Sequence, residues 1–94
     1  MKQYLTPEQT AKLIELGFEK PKSEVKAEQA GDNIWYNPAY SIGELIEIMG
    51  YDLYSIHYKG LAWEVKSERI ETREAELIDA LYGMIVKLKE EGVI

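Results

Sequence analysis

WYNPAYSIGELIEIMG, residues Trp35–Gly50, carries the strongest structural signals in the chain. Ser41 is followed three residues later by Glu44, a capping box in which the hydroxyl accepts from an unpaired helix N–H and the glutamate reaches back to the cap. Tyr40, one residue before the cap, is spaced to staple onto Leu45. Ile42, Leu45, Ile46 and Met49 fall at helical spacing, and Gly50 with Tyr51 supplies a glycine stop followed by an apolar residue. The spacing predicts a helix over Ile42–Met49. Gly43 lowers its intrinsic propensity, so burial has to hold it. Upstream, Pro38 has no N–H for a ladder and closes the β-prone run Asn33–Tyr36.

Working outward, Thr6-Pro7-Glu8-Gln9 opens a first helix, about 7–16, with another capping box and a proline at the first helical position, where its missing donor is no loss. Gly17 and Phe18 end it, with Phe18 able to fold back on Leu13. After Pro21, Ser23–Gln29 alternates, with Val25, Ala27 and Gln29 on one side and Glu24, Lys26 and Glu28 on the other, the pattern of a half-solvated strand. Turn chemistry at Gly31-Asp32 joins it to the Asn33–Tyr36 run as a hairpin.

Beyond the central helix, Tyr51–Tyr58 and Leu61–Ser67 read as a second hairpin about a Lys59-Gly60 turn. That register pairs Tyr58 with Leu61, Ile56 with Trp63 and Tyr54 with Val65 on an apolar face, and His57 with Ala62 and Ser55 with Glu64 on a polar one. The mixed-charge run ERIETREAE, residues 68–76, then leads into a long helix, about 73–91, with Thr72 as a candidate cap. Its broad apolar face, Leu77, Ile78, Leu81, Ile85 and Leu88 widened by Ala80, Tyr82, Met84 and Val86, implies more than one neighbour. Gly83 within it suggests close approach of another backbone. Gly92-Val93 is a third glycine stop. The order α-ββ-α-ββ-α predicts a single two-layer α+β domain over residues 1–94, its antiparallel hairpins packed against helices.

Ninety-four residues, 46% hydrophobic, suit one small core. A net charge of −6 opposes binding to phosphate backbones or anionic membranes, so neither nucleic acid nor membrane is an expected partner. The absence of cysteine excludes disulfides, Cys-ligated metals and thiol nucleophiles. The N-terminus lacks the apolar core of a signal peptide, which makes the cytoplasm the expected compartment.

YLTPEQ, ELGFEKPKS, WYNPAYSIGELIE and LIDALYGMIVKL together resemble a group of small proteins of gut anaerobes met in phage or mobile-element settings. The resemblance spans most of the chain and implies a small cytoplasmic domain with no assigned activity and no catalytic residues to carry over.

His57 is the lone histidine, and with Ser55 and Glu64 it makes the one grouping suited to acid–base work. Ser55 and His57 share a short strand, however, and no nucleophile elbow or oxyanion hole accompanies them. No metal-ligand spacing or phosphate-cradling glycine loop is present, so no metal or cofactor is expected. Fourteen glutamates make some acidic pair inevitable, which empties that signal. What stands out is the aromatic content. Trp63 and Tyr54 read as core, whereas Trp35, Tyr36 and Tyr40 around Pro38 read as a partner-binding patch. The leading expectation is a non-enzymatic interaction or accessory domain, binding a protein partner or itself through that patch and the open hairpin edges. The alternatives are a small hydrolase or ligand-binding enzyme around His57 and Glu64, and an acidic nucleic-acid mimic. Lys66, Arg69 and Arg73 interrupt the one-signed face that such a mimic needs.

Overall fold

A computed structural model describes the backbone of residues 1–30 and 33–94 and the side chains of residues 1–25 and 37–94. The chain is an α+β domain. Helix α1 (Pro7–Glu15) is followed by strands β1 (Glu24–Ala30) and β2 (Asn33–Pro38), helix α2 (Ile42–Met49) and a 3-10 turn (Gly50–Asp52). Strands β3 (Ser55–Lys59), β4 (Ala62–Lys66) and β5 (Glu71–Glu74) then lead into helix α3 (Leu77–Glu90).

Both capping boxes form. Gln9 N donates to Thr6 Oγ1 at 3.2 Å while Thr6 N donates to Gln9 Oε1 at 3.0 Å. At α2, Glu44 N donates to Ser41 Oγ at 3.2 Å and Ser41 N returns to Glu44 Oε1 at 3.3 Å. Two of the three glycine stops close as expected: Gly17, at φ +103°, lets Phe18 N reach Leu13 O, and Gly92, at φ +75°, lets Val93 N reach Leu88 O. Gly50 differs. Its φ of +53° and ψ of −124° turn the chain into the 3-10 segment, so Tyr51 swings into solvent and does not fold back on α2.

The two hairpins do not merge. β1 and β2 form a two-stranded antiparallel sheet, whose register shifts between Lys26 and Glu28, and β3, β4 and β5 form a separate three-stranded antiparallel sheet in that order. The shift interrupts the alternation at Ala27, and the expected sidedness of those side chains and the Gly31-Asp32 turn lie outside the described residues.

The second sheet differs from expectation in two ways. Lys59 faces Ala62, Tyr58 faces Trp63, Ile56 faces Val65 and His57 faces Glu64, so the turn is Gly60-Leu61. Gly60 takes φ +67° and Leu61 keeps a negative φ, the glycine-first arrangement of a type II′ hairpin. The slip from the Lys59-Gly60 register is two residues. An even slip keeps every side chain on its face, so face-sorting cannot detect it. The residues ahead of α3 are also strand and not helix: Glu71–Glu74 pairs antiparallel with β4, with Thr72 opposite Val65 and Arg73 opposite Glu64. Thr72 is therefore no cap. It is buried, and its hydroxyl donates to Ala80 O within α3.

Helix α3 is the spine of the core. It packs on α2 and on β4 and β5. Seven of its residues are buried, from Leu77 to Leu88, which accounts for the breadth of its apolar face. Leu5, Leu13, Tyr40, Leu45, Met49 and Val65 complete the cluster. At Gly83 a Cβ would meet Thr72 Cγ2 at 3.7 Å, an ordinary contact with a side chain, so no backbone approach requires the glycine.

Candidate functional site

Helix α3 covers β4 and β5, and β3 is the sheet edge beyond that cover. The strand reads SIHYK, without proline and with Lys59 as its one permanently charged residue. It therefore lacks the usual protections of an exposed edge, several charges or a proline. Tyr58 is 59% exposed and tilts against Trp63 at a ring-centroid distance of 5.0 Å. Trp63 is half-buried against the core, so the ring pair forms a step from interior to surface. Tyr54, just before β3, is 63% exposed, and its N–H donates to Lys66 O. Leu61 at the hairpin tip is 88% exposed, and Tyr51 is fully exposed.

Tyr54 was expected in the core, and the structure corrects that. The face it would share with Val65 ends at Ile56, because the strand begins only at Ser55 and the helix above covers the other two strands.

The expected patch of Trp35, Tyr36 and Tyr40 changes as well. Tyr40 is 2% exposed and belongs to the core, with its hydroxyl donating to the Glu19 carbonyl. Its backbone carbonyl accepts from Leu5 N at 3.0 Å, so the N-terminal segment is laced to the same point. Burial first, then the carboxylates of Glu44 and Glu19, push its phenol above the ordinary value. A residue so placed anchors the fold and presents no surface. Trp35 and Tyr36 sit in β2, and their side chains lie outside the described residues.

His57 and Glu64 are directly opposed across β3 and β4, and Arg73 follows Glu64 on β5. His57 is exposed, Ser55 is opposite Lys66, and among the described residues the ion pairs are Lys2–Asp79 and Lys66–Glu71. The register thus brings His57 beside Glu64 without a hydrogen bond between them. Neither lines any of four surface cavities, of which the one bounded by Asp52, Ser67, Ile70, Leu88 and Val93 is about 420 Å³. A cleft of about 350 Å³ between Tyr4, Pro7, Val25 and Pro38 is mostly apolar and carries no convergent charged groups. Among the described residues no group of three or more His, Asp or Glu could hold a metal, and no helix is long and apolar enough to cross a membrane.

Sequence reading missed the β3 edge as the aromatic surface. The signal was present in residues 68–76: Ile70 and Thr72 alternate with charged neighbours, which is strand spacing, and a third strand beyond β4 leaves β3 outermost. No family model, curated protein or solved structure matches this chain.

Proposed function

We propose that this chain is a non-enzymatic protein-interaction domain whose contact surface is the open edge of β3 with the hairpin tip beyond it. The observation that supports this reading is the exposure of Tyr58 on the edge strand β3, with exposed Tyr51 and Tyr54 before it and exposed Leu61 in the turn after it. An open edge offers main-chain hydrogen bonds to an incoming strand, and flanking aromatic side chains provide apolar area and selectivity. Trp35 and Tyr36, carried on β2, are proposed as a secondary contact.

The test is a comparison of partners recovered from the source cell by the wild-type chain, by Tyr54→Lys with Tyr58→Lys, and by Trp35→Ala with Tyr36→Ala. Each variant is checked for an intact fold by circular dichroism. Loss of partners with the first pair supports the β3 edge. Retention of every partner by folded lysine variants overturns it.

A further inference from the structure

We propose that the occupant of the β3 edge is a second copy of this chain, paired antiparallel about a twofold axis at His57 so that two three-stranded sheets become one of six strands. The proposal rests on the reading of that edge as the contact surface. It follows from the order of residues along the strand. Ser55–Lys59 overlaps completely with itself in one antiparallel register, which sets His57 opposite His57 of the second copy, Ile56 opposite Tyr58 and Ser55 opposite Lys59.

Charge permits this pairing at β3 and guards the other edge. Lys59, the permanent charge of β3, meets a serine. β5, Glu71–Glu74, instead carries three charged side chains in four residues, the protection of an exposed edge that β3 lacks. Shape agrees with charge. Ile56 and Tyr58 lie on the face shared with Val65 and Trp63, so the junction would place two isoleucine–tyrosine pairs side by side, continuing the apolar face. The same register carries each hairpin tip, with its exposed Leu61, past Leu53 and exposed Tyr54 of the other copy. One contact would thereby cover Tyr54, Tyr58 and Leu61 together.

The chain has no cysteine, which makes single-thiol cross-linking a clean test. Directly opposed residues of an antiparallel pair have Cα atoms about 4.5–5.5 Å apart, within disulfide range. His57→Cys should therefore link two chains under mild oxidation, while Arg73→Cys on the other edge strand should not. Light scattering of the wild-type chain should show twice the monomer mass, falling to the monomer mass in Tyr58→Lys and in Leu61→Lys, the latter altering only an exposed tip. A monomeric mass up to about millimolar concentration, with His57→Cys linking no faster than Arg73→Cys, overturns the proposal. Masses growing past the dimer also overturn it, because they indicate β3 pairing with β5 in an open chain. If the protein is monomeric but Tyr58→Lys still abolishes capture of another protein, the second copy is excluded while the edge remains the contact surface. If Tyr58→Lys changes neither, both fail.

Discussion

The Thr72 hydroxyl donates to the carbonyl of Ala80 at 2.7 Å, and both residues are buried. This bond ties the last strand to the helix that follows it, across only eight residues. It fixes how α3 lies on the sheet, and so which strand is left uncovered. Thr72→Val keeps the shape and removes the donor. A net loss of about 1 kcal/mol is expected in urea unfolding, with Thr72→Ser losing less.

Gly83 is spare. Its φ lies outside the left-handed region, and a Cβ there would touch Thr72 Cγ2 at 3.7 Å without displacing it. Gly83→Ala should raise stability by about 1 kcal/mol, read as a higher urea midpoint at unchanged m-value. A decrease would mean that Thr72 cannot accommodate the methyl group.

Thr10 Oγ1 is buried in α1 with no hydrogen-bond partner among the described residues. Replacing an unsatisfied hydroxyl by a methyl of like shape removes a desolvation cost, so Thr10→Val is expected to stabilise by about 1 kcal/mol in thermal or urea melts.

Glu44 joins two segments: it caps α2 and accepts from Lys22 N at 2.9 Å. Burial pushes its carboxyl upward, but hydrogen bonds from Ser23, from the Lys22 and Ser41 backbones and from the Ser41 side chain outweigh it, and the group lies below its ordinary 4.5. A depressed carboxyl contributes stability that is present above the unfolded value and lost as pH falls through the folded one. The advantage of wild type over Glu44→Gln should therefore be full at neutral pH and shrink below about 4.5, measured by urea unfolding across that range.

Tyr40 supplies the opposite sign. Its phenol is held above the ordinary 10.0 by burial and by the charges of Glu44 and Glu19. Its contribution is complete below 10.0 and lost as pH rises past it. Tyr40→Phe removes the bond to the Glu19 carbonyl and this alkaline sensitivity, at a cost of about 1 kcal/mol. Tyr40→Ala should cost about 3–5 kcal/mol by leaving a core cavity, with loss of fold preceding any change in association.

The sequence by itself determined four of the six helix ends. Thr6 with Gln9, Ser41 with Glu44, Gly17 with Phe18 and Gly92 with Val93 act through hydrogen bonds spanning only a few residues, so the pattern and the structure coincide. It also sorted Ile56, Tyr58, Trp63 and Val65 onto one face of a hairpin. Tertiary structure decided the rest. The two-residue slip to the Gly60-Leu61 turn is invisible to a period of two, and β5 exists because β4 has an edge for Glu71–Glu74 to join, a non-local gain that the alternation of Ile70 and Thr72 with charged neighbours does not by itself locate. Tyr40 is buried because it joins the core cluster ahead of α2, and Tyr54 is exposed because α3 covers β4 and β5 and leaves β3 open. Local bonds set both ends of α1, the start of α2 and the end of α3, and packing between distant segments set which aromatic side chains became surface.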